Sequence, residues 1–381
     1  MDITNYLKLM VDHDASDLFF SVGAHANIKI EGHTRSVGKE TLTSKDLRTL
    51  AYSIMSDDQV VAFEENLELN MAISMEGLGR FRVNIYRQRG DIAMVIRYIR
   101  NKIPSIESLG LPPILEKLIM EKQGLILVVG STGSGKSTTL ASMINYRNEN
   151  RHGHILTIED PIEFVHEHKK SVVDQREVGL DTRSYAEALK NALREAPDVI
   201  VVGEIRDRET MRHAIHFAET GHVCLSTLHA NNANQTMERV INFFPDTAHH
   251  GLLMDLSQHL RAIISQRLIP GINSKRVPAV EIMLNTPYIA ELIADARIDG
   301  IKDAMTQGEL EGMQTFDQSL YKLYKDGKIT AEDALRNADS RNNLRLRLRL
   351  ENPKDFAVED DLQIREEDNR MPGFSLKDKK P

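Results

Sequence analysis

The run GLILVVGSTGSGKSTTLASMINYRN, residues 124–148, constrains this chain more than any other stretch. Its first residues are apolar and β-branched, which reads as a buried strand; its last have helical spacing. Between them GSTGSGKS, residues 130–137, fits G-x-x-x-x-G-K-[ST] in the strand–loop–helix context that motif requires. Gly130, Gly133 and Gly135 permit a tight turn and positive φ values that aim successive N–H groups at one anion. Lys136 supplies a mobile ammonium for β- and γ-phosphates, Ser137 a hydroxyl for Mg²⁺, and the helix its positive N-terminal end. The candidate nucleotide segment is therefore Gly130, Ser131, Thr132, Gly133, Ser134, Gly135, Lys136, Ser137 and Thr138. Such a loop says nucleotide without saying reaction: an NTPase, a small-molecule kinase and a nucleotide sensor remain open.

After this loop, short apolar strands alternate with helices. HILTIED, DVIVVG and HVCLSTL read as strands; SYAEALKNALREA, with a capping box from Ser184 to Glu187, and RETMRHAIHFAET read as helices. That alternation predicts a parallel sheet covered on both faces. Ligands of such sheets sit at the carboxyl ends of the strands, so the residues there are the candidates for chemistry. ILTIEDPIEF places Glu159, Asp160 and Glu163 at one strand end, where carboxylates hold metal-bound waters or take a proton from an attacking water. Glu204 ends the strand VIVVGE at a plausible distance from the loop to act on a metal ion, and Gly203 would let that strand end pass close to the loop. His222 and His229 bracket the strand in TGHVCLSTLHANN, and His229 at its end is suited to sensing a γ-phosphate. Arg206 reads as a packing or interface residue.

Residues 1–100 have a different grammar. Helical segments (NYLKLMVDHDAS, and SKDLRTLAYSIM with Thr43 or Ser44 as cap) are interspersed with strands (DLFFSV, NIKIEG, LELNMAISM, GRFRVNIYRQRG, DIAMVIRYI), which predicts a small α+β domain with an antiparallel sheet. Its strands carry Arg80, Arg82 and Arg97; a charged strand face is ordinarily just solvated, yet an arginine reaching a triphosphate from another domain or subunit stabilises phosphoryl transfer. NKIPSIESLGLPP, residues 101–113, reads as a linker, and 114–350 as the second domain, helical after residue 286. Residues 351–381 are rich in charge and proline with little periodic apolar content, which predicts a mostly disordered tail.

Composition narrows the setting. A net charge of −8 gives no electrostatic basis for general nucleic-acid binding. The single cysteine, Cys224, lies in an apolar run, so it excludes an internal disulfide or a Cys-rich zinc site and fits a reducing cytosol. The acidic start MDITNYLKLMVDHD lacks a basic, apolar signal pattern, and no apolar run approaches membrane-spanning length; a membrane role is expected only through partners.

Four ordered blocks, GSTGSGKSTT, TIEDPIEF, DVIVVGEIRD and TGHVCLSTLHAN, with the GRFRVN strand, resemble the PilT/PilU retraction ATPases of type IV pili in the secretion-ATPase superfamily. The likeness spans residues 1 to about 350. It implies a PAS-like α+β N-terminal domain and a RecA-like P-loop ATPase domain with a helical C-terminal part, assembled as a homo-hexamer with ATP between the domains. It implies Mg²⁺-dependent ATP hydrolysis that drives pilus retraction and twitching motility from the cytoplasm, at the inner-membrane face of the pilus base, with the inner-membrane platform protein as partner. By position, Glu163 becomes the water-activating base, Glu204 the acid on Mg²⁺ beside Ser137 and Glu159, His229 the γ-phosphate sensor, and His222 a positioning residue. Arg80, Arg82 and Arg97 match arginines that contact nucleotide at a domain or subunit interface. Where PilT-type chains carry an AIRNLIRE-like basic helix, this chain reads YIAELIADARIDGIK, residues 288–302, and it adds the acidic tail. Both departures point to the PilU branch, an accessory motor acting with a PilT-like ATPase. The alternatives are an ATP-binding adaptor with little turnover, and an assembly or secretion ATPase; the lack of a four-cysteine module and of a longer N-terminus weighs against the last.

Overall fold

The structure, a computed structural model, describes residues 2–30, 32–99, 102–273 and 275–351. Of the expected tail, residues 351–381, only Glu351 is described, as the last residue of a helix; the rest lies outside the described residues. The N-terminal domain holds helices α1 (Ile3–Asp12), α2 (Ser44–Tyr52) and α3 (Asp57–Asn66) and strands β1 (Asp17–Phe20), β2 (Ala26–Ile30), β3 (His33–Val37), β4 (Glu68–Met75), β5 (Gly79–Gln88) and β6 (Asp91–Ile99). The strands form one antiparallel sheet in the order β3-β2-β1-β6-β5-β4. Period-2 alternation explains its two faces. Along β5, Phe81, Val83 and Ile85 are fully buried against the helices, while Arg80, Arg82 and Asn84 take the other face. Thr43 caps α2 in a reciprocal capping box with Asp46.

The second domain follows: α4 (Ile114–Ile119), β7 (Gly124–Val129), α5 (Lys136–Asn150), β8 (Gly153–Glu159), β9 (Ser171–Glu177), α6 (Tyr185–Ala192), β10 (Val199–Val202), α7 (Arg208–Glu219), β11 (Val223–Leu228), α8 (Ala233–Asn242), α9 (His249–His259), β12 (Leu260–Pro270) and β13 (Arg276–Leu284). Helices α10 (Pro287–Ala294), α11 (Ile301–Gln307), α12 (Phe316–Lys325), α13 (Ala331–Asn337) and α14 (Arg341–Glu351) complete it. Its sheet runs β13-β12-β7-β11-β10-β8-β9. Every pairing is parallel except β12–β13, which departs from the all-parallel expectation. The connection after Pro270 is too short for a crossover, so β13 must turn back antiparallel.

All residues of β7 are buried because both faces are covered. Leu125, Leu127 and Val129 pack toward α6, α7, α8 and α9; Ile126 and Val128 pack toward α4 and α5. Parallel strands put the ends of β7, β11, β10 and β8 on one edge, and the candidate residues on the loops that leave it. No helix among the described residues is long and apolar enough to cross a membrane.

Candidate active site

The loop between β7 and α5 turns through three glycines with positive φ: 155° at Gly130, 77° at Gly133 and 91° at Gly135. Two of these have no room for a side chain. A Cβ on Gly130 would lie 2.6 Å from the Gln266 carbonyl, and one on Gly135 would lie 2.8 Å from the Gln266 amide nitrogen. The helix α5 starts at Lys136 without a side-chain cap, so its first N–H groups are left for an anion. Lys136 donates to the carbonyls of Gly130 (2.9 Å) and Ser131 (3.0 Å). Burial lowers the pKa of its ammonium, while the nearby Glu204 and Glu163 act the other way.

A cleft of about 260 Å³ opens beside this loop. Thr132, Gly133, Lys136 and Ser137 form one wall; Glu159, Asp160 and Glu163 a second; Glu204, Arg206, Thr227 and His229 a third. The separate sequence blocks thus meet in one place, as the parallel topology requires. Glu204 is its electrostatic centre. Its Oε1 lies 2.9 Å from His229 Nε2, and its Oε2 accepts from Arg206 Nε at 2.6 Å. Arg206 also reaches toward Asp160, at 3.8 Å. Side-chain bonds hold the two strand ends in this register: Ser226 Oγ donates to the Val202 carbonyl (2.7 Å) and Thr227 Oγ1 to the Gly203 carbonyl (2.6 Å).

Several expectations need correction. His222 does not reach the cleft. It precedes β11 while His229 follows it, so the length of a six-residue strand, roughly 20 Å, separates them. His222 instead bonds Thr220 and the Phe217 carbonyl at the far sheet edge. Glu159 borders the cleft but is tied into its own sheet, accepting from Thr157 (2.7 Å) and Gln175 (3.3 Å). Burial pushes its carboxyl up to about 7, against the pull of those two bonds. The residues crowding Gly203 are Tyr185, 2.8 Å from a Cβ placed there, and the backbone of Glu159, not the phosphate loop. Arg206, read as a packing or interface residue, lies in the cleft wall.

The three arginines sit on one face of the N-terminal sheet, and none lines this cleft within the protomer. Arg82 faces Arg97 across β5 and β6, and Arg97 is held by Asp17 at 2.8 Å. Arg80 comes within 3.9 Å of Glu177, at the end of β9. Glu177 accepts from the Ile162 N–H (3.4 Å), so it connects that arginine to the loop bearing Glu163. Burial raises the Glu177 carboxyl against the pull of Arg80 and Arg82. Glu177, Gln266 and Tyr185 were missed in the sequence: they lie outside any phosphate motif, and only strand pairing places them beside one.

The groups present suit magnesium. Ser137 and Glu204 are hard oxygen donors on one cleft, and each Glu204 oxygen keeps a lone pair beyond its bonds to His229 and Arg206. Among the described residues no cluster of acids and histidines forms a dedicated metal cage. Mg²⁺ ordinarily needs none, since it uses one or two protein oxygens with substrate phosphates and waters.

A P-loop on a mostly parallel sheet, with an acid–histidine pair on adjacent strand ends, defines the ATPase class of this domain. Comparison with known proteins places it further. The family described as "Type II/IV secretion system protein" matches residues 2–339. The chain is 51% identical over 356 residues, 93% of either chain, to the type IV pilus ATPase PilU of Pseudomonas aeruginosa. It is 44% identical over 334 residues to the type IV pilus retraction ATPase PilT of the same organism, covering 88% of this chain and 97% of that one. The crystal structure of the pilus retraction motor PilT with bound ADP matches it with a TM-score of 0.85 and 42% identity, over 91% of this chain and 99% of the other. The chain belongs to the type II/IV secretion system protein family, as a PilT/PilU-like type IV pilus ATPase.

Proposed function

We propose that this chain hydrolyses ATP with Mg²⁺ in a homo-hexameric ring to power type IV pilus retraction, as an accessory motor beside a PilT-like ATPase. It would work at the inner-membrane base of the pilus, with the platform protein as partner. The observation that carries the reading is the Glu204–His229 pair, 2.9 Å apart, set across a single cleft from Lys136. In this reading the loop N–H groups and Lys136 hold the phosphates. Glu163, exposed at the cleft, takes the proton of the attacking water. Ser137 and Glu204 would hold the cation, Glu204 with the lone pairs left beyond its bonds to His229 and Arg206. His229 senses the γ-phosphate by exchanging its bond to Glu204. Arg80, Arg82 and Arg97 stabilise charge from the N-terminal domain of the same or a neighbouring subunit. Bound Mg²⁺ would supply charge neutralisation of the β- and γ-oxygens.

The test is phosphate release by the purified chain against Lys136→Ala, with light scattering to follow assembly. Turnover that survives Lys136→Ala would refute the assigned site. One observation favours the adaptor as second reading: in the 288–302 stretch, Arg297 is neutralised by Glu291 (2.8 Å) and Asp295 (3.0 Å), which leaves no free basic surface there from that residue. No phosphate release above the Lys136→Ala control would favour it.

A further inference from the structure

Three consecutive residues of β12 reach three different parts of the ATPase domain. Ser265 Oγ donates to Glu281 Oε1 (3.0 Å), which also accepts the Ala233 N–H at the start of α8 (2.8 Å). Gln266 accepts from Thr139 on α5 (2.7 Å) and packs beneath Gly130 and Gly135. Arg267 points the other way. It lies over the Phe316 ring at 3.8 Å and forms an ion pair with Asp339 at 2.8 Å. It donates to the carbonyls of Asn337 (2.8 Å) and Asn231 (3.4 Å). Asn231 is two residues beyond His229, on the loop that enters α8. Asp339 also holds Lys302 of α11, at 3.1 Å.

We infer that Arg267 and Asp339 form a clasp that positions the His229 loop and couples it to the C-terminal helices. Arg267 is a positioning residue, since it does not line the cleft. Its planar fork suits the task. One guanidinium satisfies a carboxylate, a helix-end carbonyl and the sensor-loop carbonyl, a geometry that a lysine ammonium cannot reproduce. The shortest bonds go to Asn337 and Asp339, so the C-terminal helices set where the guanidinium sits. The longer bond to Asn231 then transmits that placement to the loop. Asp339 is only 12% exposed at its side chain, so water does not substitute for either partner. A shift of α11 or α13 therefore changes where His229 stands relative to Glu204.

The inference rests on His229 acting at the nucleotide, and two readouts separate its failure from failure of that reading. The first is steady-state ATP hydrolysis by the full chain with Arg267→Lys. The expected result is a kcat lowered about tenfold with KM within about twofold, because a misplaced sensor loop harms the reaction and not phosphate binding at the P-loop. Unchanged kcat beside an active wild type overturns the clasp. The second readout needs no turnover: the rate at which diethyl pyrocarbonate modifies His229, followed by peptide mass. Release of the loop should raise that rate about threefold in Arg267→Lys, and an unchanged rate overturns the clasp whether or not the chain hydrolyses ATP. If Arg267→Lys fails to fold, Lys302→Gln, at a half-exposed partner of Asp339, should show the same direction in both readouts with smaller size. No change in either then refutes the coupling.

Discussion

Replacing Glu281 by glutamine tests how a buried carboxyl next to the sensor loop is held. Glu281 is 2% exposed, and its Oε1 receives the first N–H of α8 and the Ser265 hydroxyl. Burial pushes its carboxyl up from 4.5 to about 7; the Ala233 N–H opposes the rise, Asp339 adds to it, and Ser265 and Arg267 oppose it. A raised pKa means that the folded chain holds the proton more tightly than the unfolded one. The stability linked to it is fully present below pH 4.5 and is lost as pH rises through 7. At 1.36 kcal/mol per pKa unit the whole gap is about 3 kcal/mol, and most of it falls between pH 5 and pH 8. Glutamine keeps the accepting oxygen and cannot ionise. Urea unfolding of wild type and Glu281→Gln, followed by circular dichroism at several pH values across that range, should give similar midpoints at the acid end. The variant should then gain about 2–3 kcal/mol on wild type toward pH 8. A difference that stays constant with pH would refute the reasoning, for it would mean that Glu281 carries its charge throughout.

Glu163→Gln should lower kcat by about 10² or more with KM nearly unchanged, because the amide cannot accept the water's proton; phosphate-release kinetics would show it, and wild-type kcat would remove Glu163 from that role. Phe217→Ala, at a ring that is 1% exposed in the core beneath α7, should destabilise the ATPase domain by about 3–5 kcal/mol, measurable as a fall in its unfolding midpoint.

The sequence was legible where local periodicity and burial agree. The loop around Lys136 lies between a fully buried strand and a helix, and the pattern named both. The N-terminal strands showed the alternation that their half-buried sheet demands. Other elements carried no such signal. β3 is almost wholly exposed, and β9 mixes buried Val173 with polar Asp174 and Gln175, so neither announces itself. β12 hides two buried polar residues, Ser265 and Gln266, inside an otherwise apolar run, and their purpose appears only once Glu281 and Thr139 are brought beside them from distant segments. The same limit explains the misplacement of His222. The sequence gives the two histidines as near neighbours of one strand, but a strand separates its ends by its whole length.

The order of strands across the ATPase sheet sets a scale for the cleft. The phosphate loop leaves β7 and the acidic loop leaves β8, with β11 and β10 between them. Three strand spacings of about 4.8 Å put those loops some 14 Å apart, measured across the sheet. The two loops nonetheless meet above the sheet: Lys136 and Glu163 line one cleft of about 260 Å³, with His229 and Glu204 on its remaining wall. The sheet therefore fixes the order in which the separate sequence blocks enter the cleft, and it is the reach of the loops, not of the strands, that closes it.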